Sequence, residues 1–308
     1  MSSSVFTYAL CRYCMLQQRY QLAIAICLSL AIFIGYNQLE EWYKRNTEKQ
    51  YLATEIGVIG RSLLCGCVLG FAVYQLFWCD NLSRIQRPST FIAMLAMFHY
   101  TEFLFTAISN PIQTNERSFL IEYGCNYWFA NILSLIEYAV GELLFSSHWR
   151  SFIDFHNLMP SLNVVNSLSH HIRHFVSLKN LIGSLSEWCF FIGLILVLLG
   201  EIIRKMAMLN AGRSFYHILQ NKLPPEHKLI TSGLYSVCRH PSYLGWFLWQ
   251  LGMQLILSVP ICTITHSLVT LKFFSERINY EESILINTFG NDYIKYMRCV
   301  RWTGVPFI

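Results

Sequence analysis

The residues best suited to chemistry lie in the last third of the chain. A polar segment from His227 to Tyr235 is followed closely by Arg239-His240-Pro241-Ser242-Tyr243. After an uncharged apolar stretch come Arg277 and Glu281, which are four residues apart and therefore share one helix face. Taken alone, the Arg277–Glu281 pair is equally typical of a solvated salt bridge, but the glycines, aromatic rings and charges around one short apolar stretch together indicate a ligand-binding site.

Three residues in these segments indicate that backbone groups take part in binding. Gly233 and Gly245 allow a ligand to approach the main chain closely, because glycine has no Cβ. Pro241 keeps His240 out of helical geometry, which leaves the backbone groups of the preceding loop available. The sequence therefore predicts a ligand-binding loop at the entrance to the apolar stretch.

The composition indicates a helical membrane protein. The chain has 308 residues, of which 54% are hydrophobic and only 13% are charged. Soluble domains carry about 25% charged residues. Nucleic-acid binding is disfavoured, because 23 Lys and Arg nearly balance 18 Asp and Glu and no basic block stands out. The eleven cysteines lack paired metal-ligand spacing, so we predict no metal, and Cys65/Cys67 and Cys11/Cys14, in or beside apolar runs, are interpreted as small buried hydrophobic residues.

The elements that must position the candidate site are apolar segments near the length of a membrane span. Five are clear, and two shorter ones separated by Pro260 are interpreted as a tight helical hairpin. A short additional span at Val5–Leu16 brings the total to about eight, so the predicted fold is all-α and polytopic. The segments are Tyr20–Tyr36, Ile56–Trp78, Phe91–Ile108, Trp128–Phe145, Leu181–Ile203, Gly245–Val259 and Ile261–Phe274.

The distribution of Lys and Arg predicts the orientation. Basic residues are dense on both flanks of the hairpin, which places both flanks in the cytosol. The polar, histidine-rich segment 146–180 is then lumenal; a metal site is conceivable there, but a solvated insertion is the favoured interpretation. The chain divides into N-terminal transmembrane helices, residues 1–180, and a catalytic membrane-embedded region, residues 181–308.

The motifs of the catalytic region resemble those of a known family. From His227 the chain reads H-K-L-I-T-S-G-L-Y, then R-H-P-S-Y-L-G, the apolar hairpin, E-R-x-x-x-E-E and F-G-x-x-Y. In composition and order this pattern is similar to isoprenylcysteine carboxyl methyltransferases, over residues 200–308. The family often has a fully acidic run before its Glu pair, whereas Asn279 and Tyr280 stand there in this chain.

The resemblance implies S-adenosylmethionine as methyl donor, with S-adenosylhomocysteine as product. The acceptor would be the C-terminal prenylcysteine carboxylate of prenylated CaaX proteins such as small GTPases, modified at the endoplasmic reticulum membrane with the active site facing the cytosol. Arg277 would be catalytic and hold the substrate carboxylate. The cofactor contacts would be Gln220, His227, Lys228, Leu229, Ile230, Tyr235, His240, Pro241, Ser242, Tyr243 and Glu281.

Particular roles follow for some of these residues. Lys228 and Ile230 would act through backbone atoms. Gln220 and His227 are candidates for the donor's carboxylate end, and Glu281 for its ribose hydroxyls or amino group.

The chemistry suits these residue types. A C-terminal carboxyl group has a pKa near ~3.5, so it is already a nucleophile at neutral pH and needs no general base. Methyl transfer from a sulfonium to a carboxylate cancels charge, so a site that excludes water and aligns the two groups accelerates it. A guanidinium orients a carboxylate through two parallel hydrogen bonds. A prenyl chain dissolves in membrane lipid, which explains why the enzyme is embedded in a membrane.

Two other functions are open at this stage. A membrane sterol reductase using NADPH would need basic groups for a 2′-phosphate, and the E-R-x-x-x-E-E motif argues against it. A transporter or scaffold is suggested by intramembrane Arg61, Glu102, Glu137 and Glu142. A transporter would place its polar residues near the bilayer centre, whereas the densest motif here lies at the predicted cytosolic edge.

Overall fold

The computed structural model describes residues 50–78, 82–122, 124–146, 165–218 and 223–308. Across these ranges the regular structure is entirely helical, with no strand. Short 3₁₀ turns connect some of the helices. The helices are α1 (Gln50–Trp78), α2 (Leu82–Ser109), α3 (Cys125–Ser146), α4 (Val165–Ala211), α5 (Pro241–Leu257), α6 (Pro260–Phe289) and α7 (Asn291–Cys299).

Three of the described helices contain stretches long and apolar enough to cross a membrane. These stretches are Glu55–Gln75 in α1, Gln86–Ser109 in α2 and Ser184–Ser214, which begins in α4. The predicted all-helical membrane architecture is therefore confirmed. The total of about eight spans stays a prediction, and the predicted spans Val5–Leu16 and Tyr20–Tyr36 lie outside the described residues.

Two helices extend beyond the predicted apolar segments. Helix α4 begins at Val165 and has 47 residues, so it includes part of the segment that was interpreted as a polar insertion. The predicted boundary between two regions at residue 180 falls inside this helix. The second arm of the hairpin is not a short apolar segment ending at Phe274 but the first half of the 30-residue helix α6. Because α6 continues past the apolar stretch, one rigid element carries both Arg277 and Glu281.

The chain forms two compact units, residues 1–104 with 112–122 and residues 105–111 with 123–308. In the first unit, Arg61 of α1 is almost fully buried and forms an ion pair with Glu122. His99 Nδ1 lies 2.8 Å from the carbonyl oxygen of Phe119, close enough for a hydrogen bond. Polar groups in this unit therefore contribute to its internal packing.

In the second unit, α4 and α5 pack closely because glycines face each other. A Cβ on Gly200 would lie 2.5 Å from the Gly245 carbonyl oxygen, and one on Gly193 would lie 2.7 Å from the Gly252 carbonyl oxygen. The two glycines of each helix are two turns apart and therefore lie on one face. Small residues allow helix backbones to approach in a membrane, where lipid supplies no hydrophobic force for association.

The predicted hairpin is confirmed, and its turn is tightly fixed. Ser258 adopts a left-handed conformation with φ of 56°, and α6 then starts at Pro260, a residue favoured at a helix start. Glu137 of α3 accepts hydrogen bonds from the backbone N–H groups of Ile261 (2.9 Å) and Cys262 (2.8 Å). Its carboxylate satisfies donors that a helix start leaves unpaired, which gives this acid a structural role.

Candidate active site

A cavity in the second unit collects most of the predicted site residues. Its volume is about 1230 Å³ including its open mouth, and its wall combines the loop after α4 with parts of α5, α6 and α7. Ten of the twelve predicted residues line it: His227, Lys228, Leu229, Ile230, Tyr235, His240, Ser242, Tyr243, Arg277 and Glu281. Their individual roles stay predictions.

The other two predicted residues do not belong to the described cavity wall. Pro241 is buried as the first residue of α5, where it ends the loop rather than facing the cavity. Its effect on the preceding residue is as predicted, since His240 has a non-helical backbone with φ of −126° and ψ of 63°. Gln220 lies outside the described residues.

Tyr243 is the polar centre of the cavity. Its hydroxyl donates a hydrogen bond of 2.6 Å to Glu281 Oε2 and accepts one of 2.8 Å from Arg277 Nε. Its ring stacks on His240 and Phe274, with centroid distances of 5.5 and 4.9 Å. Arg277 and Glu281 therefore line the same cavity, and a tyrosine from the other arm of the hairpin links them.

Glu282 anchors the loop that enters α5. It accepts hydrogen bonds from Arg239 Nε at 2.6 Å and from His240 Nε2 at 3.2 Å. Burial by itself raises the pKa of Glu282, but the hydrogen bonds and charges of His240 and Arg239 outweigh burial, so the pKa lies below its ordinary value. Glu282 therefore holds the loop in place, whereas Glu281 lines the cavity.

The C-terminal tail holds the same loop from the other side. The Arg239 backbone N–H donates to the Trp302 carbonyl at 3.0 Å, and that of His240 donates to the Thr303 carbonyl at 2.8 Å. Arg239 Nη1 also donates to the carbonyls of Val300 and Arg301. The tail, the loop and α6 are therefore joined by hydrogen bonds at this wall of the cavity.

A second side of the cavity is aromatic and apolar. The His227 ring lies 5.8 Å from that of Tyr216 and 6.0 Å from that of Phe289. Burial lowers the pKa of His227, and the nearby charge of Glu281 offsets this only in part. The imidazole is accordingly neutral at physiological pH. Its Nδ1 is buried and has no hydrogen-bond partner among the described residues.

Sequence reasoning missed the segment that follows α4. His217 shares a hydrogen bond of 2.8 Å with the Thr106 hydroxyl, and its carbonyl accepts one of 2.7 Å from Arg277 Nη2. Asn110 Nδ2 donates to the Arg213 carbonyl at 3.1 Å. The segment is therefore tied to Arg277 and to the end of α2. No motif marked it, because its contacts use backbone atoms and residues distant in sequence.

Two tyrosines of α7 also line the cavity without having been assigned to it. Tyr293 and Tyr296 are both buried, and the F-G-x-x-Y motif had already drawn attention to the first. Tyr296 donates a hydrogen bond of 2.6 Å to the carbonyl of Tyr235. The motif was therefore a usable signal for this part of the wall.

Comparison with known proteins gives a consistent family. The sequence model of the isoprenylcysteine carboxyl methyltransferase family matches residues 193–287, from α4 into the second half of α6. Protein-S-isoprenylcysteine O-methyltransferase of Xenopus laevis is 38% identical over 245 residues, covering 78% of this chain and 71% of the relative. The Homo sapiens protein of that name is 34% identical over 247 residues, covering 79% and 73%.

A solved structure gives the same result at the level of the fold. It is that of a eukaryotic intramembrane Ras methyltransferase, an isoprenylcysteine carboxyl methyltransferase. The match covers 92% of this chain and 86% of that one, with a TM-score of 0.66 and 31% identity. The site and fold thus define an integral-membrane methyltransferase. The chain belongs to the isoprenylcysteine carboxyl methyltransferase family, which favours methyl transfer over the reductase and transporter alternatives.

Proposed function

We propose that this enzyme transfers a methyl group from S-adenosylmethionine to the C-terminal carboxylate of a prenylated cysteine. The observation that carries the proposal is the Tyr243 hydroxyl, which joins Arg277 and Glu281 within one cavity. Arg277 suits an anionic acceptor and Glu281 suits a cationic, hydroxyl-rich donor. The phenol of Tyr243 is thus hydrogen-bonded both to the residue proposed for the acceptor, Arg277, and to the residue proposed for the donor, Glu281.

The residues of the cavity fit S-adenosylmethionine in their chemistry. The donor carries a sulfonium, an ammonium, hydroxyls and a flat base. Glu281 supplies an acceptor whose side chain is 30% exposed. The aromatic side around His227 supplies flat apolar surface, and the buried Nδ1 of that ring, which no described residue pairs with, supplies a hydrogen-bonding atom. When bound, the donor supplies an electrophilic methyl group on its sulfonium.

The acceptor would bind where the cavity meets the hairpin. Trp246 and Phe274 give this part of the wall an apolar surface, and their rings meet edge to face at 5.5 Å. The Arg277 guanidinium lies 5.8 Å from the Phe273 ring centroid. A prenyl chain would lie against such aromatic surface while its terminal carboxylate reached Arg277, since a lipid tail and an anion need these two environments side by side.

The protein contributes to the reaction by positioning the two reactants and by removing water from around them. The acceptor carboxylate is ionised at neutral pH, so no residue has to remove a proton. Arg277 is held by Tyr243 and by the His217 carbonyl, which orients its planar guanidinium before the acceptor arrives. Excluding water strengthens the attraction between the acceptor carboxylate and the donor sulfonium, and methyl transfer then neutralises both charges. Because Arg277 grips the ground state as well, its role is positioning.

We further propose prenylated CaaX proteins such as small GTPases as substrates, at the endoplasmic reticulum membrane with the cavity facing the cytosol. The basic flanks of the hairpin support this orientation. Cysteines at Lys222 and Lys295, in a background without reactive native thiols, should react with an impermeant thiol reagent from the cytosolic side. Reaction of either from the lumen would contradict the orientation.

Methyl transfer by purified protein tests the proposed function. With labelled S-adenosylmethionine, N-acetyl-S-farnesylcysteine should be methylated, and N-acetylcysteine, which lacks the lipid, should not be. The melting temperature should rise with S-adenosylhomocysteine and stay constant with NADPH, because only the former binds the proposed site. Stabilisation by NADPH without methyl transfer would favour the reductase instead.

A further inference from the structure

Within the described part of the chain, the hydroxyl of Tyr293 in α7 makes no hydrogen bond. The residue is 1% exposed, lines the cavity, and its Oη has no hydrogen-bond partner among the described residues. A buried hydroxyl without a partner is costly, because water no longer satisfies it. Such a group at the wall of a cavity indicates that a ligand supplies the missing partner.

The neighbouring tyrosine provides a contrast within the same helix. Tyr296 lies one helical turn away, with ring centroids 5.8 Å apart, and its hydroxyl donates to the Tyr235 carbonyl. Both rings belong to the same buried cluster. The hydroxyl of Tyr296 therefore has a structural role, and that of Tyr293 does not.

We propose that Tyr293 is a specificity-determining residue of the donor site, whose hydroxyl forms a hydrogen bond with the edge of the purine base. This inference rests on the proposed use of S-adenosylmethionine. It assigns one wall of the cavity to one chemical part of that ligand.

The surroundings of Tyr293 favour the base over the charged end of the donor. Leu229, Leu285 and Phe289 pack against the cluster that contains Tyr293. A purine is flat and weakly polar, with hydrogen-bonding groups only at its edges, so it matches an apolar wall with a few polar atoms. The charges that act most strongly on Tyr293 are those of Glu282 and Arg239, which pair with each other, so an ammonium or carboxylate there would lose its hydration without gaining a free opposite charge.

His227 supports the same assignment. Its ring is tilted against Phe289 at 6.0 Å and is neutral, and its Nδ1 is a second buried polar atom without a partner among the described residues. This differs from the sequence-based hypothesis, which gave His227 to the donor's carboxylate. Two unused polar atoms in aromatic and apolar surroundings suit a base that has more than one hydrogen-bonding edge.

The Tyr293 hydroxyl keeps its proton across the physiological range. Burial raises its pKa well above the ordinary value of 10.0, and the charge of Glu282 acts in the same direction. The phenol can therefore donate to a ring nitrogen of the base as well as accept from an amino group.

Calorimetry with the Tyr293→Phe variant in detergent tests the proposal. Three probes are needed: S-adenosylhomocysteine, 5′-methylthioadenosine, which lacks the amino-acid end, and S-inosylhomocysteine, in which one base edge is changed. The variant should bind the first two roughly three- to tenfold more weakly than the wild type, the effect of one lost hydrogen bond. Its loss with S-inosylhomocysteine should differ, because the partner atoms on the base have changed.

The melting temperature of the ligand-free protein provides the folding control. Tyr293→Phe should leave it unchanged or raise it, since an unsatisfied hydroxyl is removed, whereas Tyr296→Phe should lower it. Unchanged affinity for all three probes would overturn the proposal. So would a loss restricted to the two homocysteine ligands, which indicates the amino-acid end, or an equal loss with all three probes, which indicates the ribose. If the wild type bound no probe, the proposed function itself would fail.

Discussion

The guanidinium Nε of Arg277 donates a hydrogen bond of 2.8 Å to the phenolic oxygen of Tyr243. The two residues come from different arms of the hairpin, α6 and α5. The phenol in turn donates a hydrogen bond of 2.6 Å to Glu281 Oε2, so the three side chains form one chain of hydrogen bonds. Any change in Tyr243 should therefore affect the two charged residues together.

Removing only the Tyr243 hydroxyl should impair the alignment of the reactants. We expect Tyr243→Phe to lower kcat at least tenfold, since hydrogen bonds to charged groups contribute roughly 1.5–3 kcal/mol each. Affinity for S-adenosylhomocysteine should fall as well, as it should in Tyr243→Ala and Glu281→Ala. Tyr280→Phe, on the same helix as Glu281 and exposed, is the matched control. Wild-type kinetics and donor affinity in Tyr243→Phe would show that the bridge has no function.

Replacing Arg277 with lysine should impair the reaction of the acceptor while leaving donor binding nearly unchanged. A point charge cannot align both oxygens of a carboxylate, nor replace the contacts with Tyr243 and the His217 carbonyl. We expect turnover of farnesylated substrate to fall roughly ten- to hundredfold. Affinity for S-adenosylhomocysteine should barely change, because a cation gains nothing beside a sulfonium. Arg298→Lys, exposed on α7, is the control; intact turnover with lost donor affinity would exchange the two assigned roles.

The carboxyl group of Glu282 should make stability depend on pH. Its pKa in the folded protein is lower than the ordinary value of 4.5, so the unfolded chain binds the proton more readily. The stabilisation is complete above pH 4.5 and is lost as the pH falls through the lowered pKa. Melting temperatures between pH 3 and 7 should show a smaller acid-induced decrease in Glu282→Gln than in the wild type. An identical pH profile would indicate that Arg239 and His240 do not stabilise the ionised form.

A methyl group at Gly200 should force α4 and α5 apart. The added Cβ would lie 2.5 Å from both the Gly245 carbonyl oxygen and the Trp249 backbone nitrogen, and backbone atoms cannot move away cheaply. Overpacking of this kind costs roughly 1–3 kcal/mol, so Gly200→Ala should lower the melting temperature. Gly141→Ala, where nothing lies within 4 Å, should be neutral or stabilising. Equal melting temperatures for the two variants would contradict the close packing.

The sequence alone determined the local features of this protein. A low content of charged residues and long apolar segments defined a helical membrane protein, because each property depends on composition or on neighbours in the chain. Pro260 between two apolar segments defined the hairpin. The spacing of Arg277 and Glu281 placed them on one face, because helical periodicity is local.

Only the tertiary structure decided which side chains share the cavity and how they are connected. The contact of Tyr243 with Arg277 joins residues from two helices, and that of Arg277 with His217 uses a backbone carbonyl that no side-chain motif can mark. The lack of a partner for the Tyr293 hydroxyl within the described ranges could not be foreseen either, since Tyr296 has the same side chain on the same helix and is satisfied. Whether a polar atom has a partner depends on close packing between distant segments, and residue type does not specify that packing.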